Sequence, residues 1–506
     1  MTIDPSRRGL RLATVIGVAA AIVAVAAYLA ASQATLRLGF PLDDAWIHQT
    51  YARNLALRGE WSFVPGQASG GSTAPLWTIL LAIGARLGSD PRSWAFLLGT
   101  AALAGAAAGA VRVFRPGAVR SEMWVVWLGL IFALEWHLVW AAASGMEVIL
   151  LAALTVAVML LSLPTVRRPL LVGALVGFGI WIRPDAVTLG LIPFLSIATQ
   201  GSGSVARGKG LVRLGIGAAL LAIPYLLFNL GTAGTIWPST FYAKQAEYAE
   251  LRQAPYLSRF FRLALSPLTG SGILLLPGVV LVAIQSIRRK RWGDLGPIVW
   301  ALSYLAIFAA LLPVAYQHGR YQIPVLPVIL ILGWEGIQQA ASNAGRPILR
   351  AVTRAWAAAT VVVTLLFAVL GARAYALDVA LIETEMVEAA TWIAAHTESG
   401  ALVAAHDIGA LGYFGQRPVL DMAGLAESEV IPFLRDESRL AQYLTRAEAA
   451  YLMTFPGWYP SLTSCAEAIH ASGGSFSPRQ GGENMVVYRW PRPLVVPLEG
   501  CMLYSP

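Results

Sequence analysis

Charge is scarce in this chain of 506 residues: Asp, Glu, Lys and Arg make up 13% of it, against 57% hydrophobic residues. That balance excludes an ordinary soluble globular domain, in which about a quarter of residues are charged. Cysteine is nearly absent, at two residues. The sequence also has no internal repeat, no low-complexity tract and no Walker-type phosphate loop, so pump and ATPase readings lose support. Its first apolar run lacks a convincing small-residue cleavage site and reads as a retained helix, not a cleaved signal.

Long apolar runs are what the chain has instead. Residues 12–31 carry no charge and are long enough to cross about 30 Å of hydrocarbon. Similar runs occupy 93–111, 123–143, 148–164, 214–230, 272–287, 296–314, 323–337 and 355–371. Two shorter runs, 170–182 and 186–198, flank Arg183-Pro184-Asp185 and read as a hairpin whose tip reaches the outer side. Residues 75–87 read as an interfacial helix in the outer leaflet. The expected fold is a polytopic α-helical membrane protein with about eleven spans.

Lys and Arg set the orientation. With the N-terminus cytoplasmic, the inner loops collect Arg7, Arg8 and Arg11; Arg112, Arg115 and Arg120; Arg167 and Arg168. They also collect Arg207, Lys209 and Arg213; Arg288, Arg289, Lys290 and Arg291; and Arg346, Arg350 and Arg354. Every short inner loop obeys the positive-inside bias. The net charge of +9 therefore reads as topology and contact with anionic membrane lipids, with no call for nucleic acid.

After Gly371 the pattern changes. Short apolar runs at 401–405, 450–453 and 485–488 alternate with turn residues and polar helical stretches, as in a small mixed α/β domain. The expected division is a transmembrane domain over 1–371 and an extracytoplasmic domain over 372–506. Cys465 and Cys501 both fall in the latter, where an oxidising compartment permits a disulfide; the sequence leaves the pairing open.

The first outer loop, residues 32–92, is the chemical candidate. It contains Asp43 and Asp44 side by side, and Asp44, His48 and Tyr51 at helical spacing, which puts those three on one face. Acids at a helix start often do no more than cap it. A paired acid at the outer membrane face also suits proton abstraction from a hydroxyl. Glu147, at the outer start of a span, reads either as a helix cap or as a second carboxylate facing Asp43 across a cavity. Glu135 and His137, near mid-membrane, should face the protein interior and line or support a pocket.

Several motifs together are specific. Phe40-Pro-Leu-Asp-Asp-Ala-Trp-Ile-His-Gln-Thr-Tyr-Ala-Arg-Asn-Leu-Ala and Gly71-Ser-Thr-Ala-Pro-Leu-Trp resemble the first extracytoplasmic loop of GT-C glycosyltransferases. Ser144-Gly-Met-Glu, Ile182-Arg-Pro-Asp-Ala, Trp237-Pro-Ser-Thr-Phe-Tyr-Ala-Lys and His318-Gly-Arg-Tyr-Gln-Ile-Pro follow in family order. His406-Asp-Ile-Gly-Ala-Leu-Gly-Tyr and Leu420-Asp-Met-Ala-Gly-Leu complete the set, which spans nearly the whole chain. The pattern is most similar to the bacterial branch of arabinofuranosyltransferases and mannosyltransferase-like proteins, although the outer domain is smaller here.

The resemblance implies an inverting membrane glycosyltransferase at the outer face of the cytoplasmic membrane. Its donor would be a polyprenyl-phosphate-linked sugar and its acceptor a glycan, lipid or protein hydroxyl. Asp43 matches the family's catalytic base, and Asp44, His48 and Tyr51 would bind substrate. Glu147 would contact the sugar or, less in keeping with the family, a divalent ion; no other cofactor is implied. A phosphate leaving group calls for cations, and Arg183, Lys244, His318 and Arg320, with Tyr321, are the candidates. Arg183 equally suits an ion pair with Asp185, and Arg320 a snorkelling anchor. His406 and Asp407 read best as strand-end packing. The alternatives are a non-catalytic lipid or polysaccharide transporter, or the same fold acting on lipid A or protein. A transporter would be expected to carry a midplane site and inverted repeats.

Overall fold

The computed structural model describes residues 5–114, 122–163, 168–199 and 203–491. Arg115, Arg120, Arg167 and Cys501, invoked above for topology and pairing, lie outside them. The protein is a multi-pass helical membrane protein with a small C-terminal sheet.

Six helices are long and apolar enough to cross a membrane: Gly9–Thr35, Pro91–Val113, Ser204–Ala233, Trp292–Leu311, Tyr316–Asn343 and Pro347–His396. If each of two bent pairs is one span, the described residues hold up to eight. Glu122–Leu134 meets Trp136–Ala143 at 49°, and Tyr256–Leu268 meets Gly272–Arg288 at 106°. Val148–Leu161, Pro169–Gly179 and Pro184–Ala198, counted above as spans, are shorter. A helix of 14 residues such as Val148–Leu161 rises only about 21 Å, less than the hydrocarbon thickness.

Two compact units divide the chain, and the division does not follow sequence order. One comprises Met1–Ala30, Phe96–Tyr225 and Leu251–Arg373; the other comprises Ala31–Ala95, Leu226–Glu250 and Ala374–Pro506. Residues 32–92 thus belong with the C-terminal domain. The expected boundary at 371/372 also falls inside a continuous helix, Pro347–Thr384. Gly371 marks a close approach instead of a helix end: a Cβ there would lie 2.3 Å from Tyr28 Oη and 2.9 Å from Trp136 Cβ.

The C-terminal domain is built on five strands: β1 (Val403–Ala405), β2 (Val419–Asp421), β3 (Tyr451–Thr454), β4 (Glu467–Ala471) and β5 (Val486–Arg489), in the order β2-β1-β3-β5-β4. β1 runs parallel to both β2 and β3, with Ala404 opposite Leu420 and Leu452. β5 returns antiparallel between β3 and β4. Ala404, Leu420, Leu440, Leu444, Leu452 and Leu462 form its apolar core. Because β1 and β2 are buried throughout, their polar residues appear only at the carboxyl ends, as His406-Asp407 and Asp421. In open α/β sheets that is the end where ligands and functional side chains gather. Cys465 has no free thiol and is disulfide-bonded.

Candidate active site

The acid pair opens the helix Asp44–Arg58. Asp43 occupies the N-cap position but makes no side-chain bond to its own helix. Its carboxylate reaches instead into the C-terminal domain. Oδ2 accepts the Gly409 N–H at 2.6 Å and Oδ1 the Ala410 N–H at 2.7 Å. Local sequence explains why these amides are on offer. The apolar strand β1 gives way after Ala405 to His406-Asp407, and Gly409 then starts the short helix Gly409–Phe414, whose first N–H groups have no partner within the helix. Only glycine fits at 409, since a Cβ would lie 2.0 Å from the Asp43 carbonyl oxygen and 2.7 Å from Oδ2.

Asp43 is 7% exposed. Burial raises its proton affinity, the charge of Asp407 raises it further, and the two backbone N–H groups act against both. Asp407 is itself raised, chiefly by burial and against the pull of His406, with Asp44 and Glu247 adding to the rise. Asp44 is the more open acid, its side chain 25% exposed, and it faces Lys244 Nζ at 3.9 Å.

Lys244 lies on the helix Ser239–Glu247, and Glu247 at its end stands 3.6 Å from His406 Nε2. His406 Nδ1 and the Tyr459 hydroxyl share a hydrogen bond of 2.7 Å. Burial alone would depress the imidazole; the bond to Glu247 and the nearby acids outweigh it and raise His406. One compact unit therefore brings Asp43, Asp44 and Lys244 together with Asp407, His406 and Glu247. Of the last three, the sequence reading assigned no role to Glu247 and only packing to the others. An acid directly after a buried strand and before a glycine that opens a helix was the available signal for Asp407.

His48 and Tyr51 do share a face with Asp44, and both are buried. His48 Nδ1 lies 3.2 Å from Ser72 Oγ and 3.3 Å from Thr78 Oγ1. The Tyr51 hydroxyl bonds to Ser69 Oγ at 2.6 Å and accepts the Gly71 N–H at 2.9 Å. They pin the Gly70-Gly71 stretch, where a Cβ on Gly71 would meet Tyr51 Oη at 2.7 Å and the Leu425 carbonyl at 2.9 Å. Their visible work is to shape the loop.

The remaining candidates gather in the other unit. Arg183 bonds to Glu147 at 3.2 Å and to Asp185 at 2.9 Å. The Tyr304 hydroxyl donates to Asp185 at 2.5 Å. Tyr321 stands between two guanidinium groups, Arg183 at 5.2 Å and Arg320 at 5.0 Å from its ring, and Arg320 also bonds to its hydroxyl at 3.2 Å. Both arginines are buried. His318 lies edge-on to Trp136 and Trp140, each at 5.3 Å. It sits in a left-handed run, Gln317 to Gly319, with φ of 54°, 57° and 65°, a conformation costly for the two non-glycine residues. Glu135 and His137 face inward as anticipated, bonded to each other at 2.8 Å at the 49° break. Glu147 already faces a cation, and among the described residues no three His, Cys, Asp or Glu side chains converge as metal ligands.

This architecture is the GT-C fold of polytopic membrane glycosyltransferases. ArnT from Cupriavidus metallidurans, solved with undecaprenyl phosphate bound, superposes with a TM-score of 0.60 at 15% identity. The match covers 94% of this chain and 99% of that one. The oligosaccharyltransferase of Archaeoglobus fulgidus, tethered to an acceptor peptide, gives a TM-score of 0.59 at 11% identity, over 93% of this chain and 74% of its own. The mycobacterial arabinofuranosyltransferase AftD gives 0.46 at 16% identity over 39% of its length, too loose an overlay to bear on the sugar. Residues 376–488 match a family described as "Domain of unknown function (DUF8728)". No curated protein matches the chain.

Proposed function

We propose that the protein is an inverting glycosyltransferase that moves one sugar from a polyprenyl phosphate to a hydroxyl acceptor at the outer face of the cytoplasmic membrane. The observation that carries this reading is the Asp43 carboxylate, fixed by two backbone N–H groups and buried beside Asp44 and Asp407. Each oxygen, having accepted one hydrogen bond, keeps a lone pair for a proton. The acceptor hydroxyl gives its proton to Asp43 while its oxygen attacks the anomeric carbon. The bond from that carbon to the phosphate oxygen breaks, and polyprenyl phosphate leaves with the electron pair. Arg320 and Arg183, both buried around Tyr321, are the cations suited to the departing phosphate. Lys244 beside Asp44 and His318 are further contacts for donor or acceptor. The undecaprenyl phosphate bound to ArnT supports the class of donor.

The test is transfer from synthetic polyprenyl-phosphate sugars by the purified protein in lipid nanodiscs, followed by mass spectrometry. A new glycosidic product of inverted configuration, with release of polyprenyl phosphate, is expected from at least one donor. Its loss by about 10²–10⁴-fold in Asp43→Asn ties the chemistry to this residue. A panel of pentosyl, hexosyl and aminosugar donors that all remain intact, with no polyprenyl phosphate retained by the protein, overturns the proposal.

A further inference from the structure

The C-terminal domain matches a family whose function is not described, and two of its short polar contacts with the residue 32–92 segment fall on the proposed base. We propose that this domain is a working part of the transfer centre, its turn Asp407–Ala410 holding the Asp43 carboxylate in the orientation that takes the acceptor proton. The inference rests on the reading of Asp43 as the base. It assigns to the outer domain a positioning role that neither the fold nor the family match specifies.

Three observations support it. The two contacts are charge-assisted and short, at 2.6 and 2.7 Å, and each carboxylate oxygen takes one of them, so the group cannot rotate without losing both. Gly409 touches the Asp43 backbone as well as its carboxylate, at distances that leave no room for a methyl group. The position of the loop and the orientation of the acid are therefore fixed by the same residue. Thirdly, Arg53, nine residues on from Asp44, clamps the far end of the same short helix through the carbonyls of Tyr413 and Gly412 at 2.8 and 2.9 Å. A simple surface contact would not need both ends held.

The charges around the turn give the proposal a signature that packing alone lacks. Asp43 is faced by Asp407 from the turn and by Asp44 from its own helix; Asp407 is faced in turn by His406, Asp44, and Glu247 and Lys244 of the helix Ser239–Glu247. Removing the charge at 407 eases ionisation of Asp43, because one of the two anions facing it is then gone. Displacing the amides acts in the opposite sense and also misplaces the base, which typically costs about 10²-fold per ångström.

The experiment uses the full chain in nanodiscs with a synthetic polyprenyl-phosphate sugar that the wild type turns over, and reads kcat against pH and donor affinity separately. Gly409→Ala is expected to lower kcat at least about 10-fold with donor affinity within twofold of wild type. Asp407→Asn, which adds no bulk and so folds if Gly409→Ala does not, is expected to move the rising limb of kcat to lower pH. Wild-type kcat in Gly409→Ala, together with an unmoved pH limb in Asp407→Asn, overturns the positioning role while a dead Asp43→Asn leaves the base assignment standing. Full activity in Asp43→Asn overturns the base assignment and this inference with it.

Discussion

Asp43 and Arg53 hold opposite ends of one six-residue helix, Gly409–Phe414. The carboxylate meets its first N–H groups and the guanidinium its last carbonyls. The signs match the helix dipole, positive where the acid binds and negative where the base binds. Arg53 follows Asp43 on the helix Asp44–Arg58, which spaces the two clamps.

From this follows the first prediction. Arg53→Ala strands the carbonyls of Gly412 and Tyr413 and removes the stacking of Arg53 on the Tyr413 ring at 4.8 Å. It is expected to cost about 1–3 kcal/mol of stability, read as a lower thermal unfolding midpoint in detergent. Arg53→Lys should recover only part, because one ammonium cannot span two carbonyls as the guanidinium fork does. An unchanged midpoint in Arg53→Ala removes the clamp from the account.

Arg320 offers a second test. It is 4% exposed and packed on Tyr321, which does not fit an arginine that snorkels to the membrane surface. If it stabilises the departing phosphate, Arg320→Ala should lower kcat by about 10²–10³-fold, and Arg320→Lys should restore part of it. Wild-type turnover in Arg320→Ala, where chemistry limits the rate, assigns the residue to packing.

The helical membrane class was legible in the sequence, because apolar length is a local property. How the apolar runs break into helices was not: Val148–Leu161 is a shorter apolar helix, and the chain bends by 106° before Gly272. The helix Pro347–Thr384 shows the converse: a change in composition at Gly371 reads as a boundary, while the glycine is there to admit Tyr28 and Trp136. At the site, Asp43, Asp44 and Lys244 were found by motif, but Asp407 and Glu247 join them only through folding. Asp43 and Gly409 lie 366 residues apart, and no local pattern reports such a contact.

Membrane orientation is the third prediction. A reporter fused after Pro506 should be active only outside the cytoplasm, and one inserted near Lys290 only inside, as the positive-inside bias requires. Reversal at either position would place Asp43 on the cytoplasmic face and remove the outer-face chemistry.

The last prediction concerns pH. Asp43 holds its proton more tightly in the folded protein than in the unfolded chain, because burial and then the charge of Asp407 penalise the carboxylate. Between the ordinary carboxylate range and its raised folded value, the folded state carries a proton that the unfolded chain has lost. Stability contributed by this group therefore declines as pH climbs through that window. The transfer rate runs the other way, since only the ionised carboxylate accepts a proton, so kcat rises over the same window. Asp43→Asn should flatten both trends: its unfolding midpoint loses that part of the pH dependence, and its kcat stays low at every pH. Asp44→Asn should instead raise KM more than it lowers kcat, as loss of a binding contact does. A fully active Asp43→Asn beside an inactive Asp44→Asn would transfer the base to Asp44, whose more exposed carboxylate faces Lys244, and would leave Asp43 as the structural tether of the outer domain.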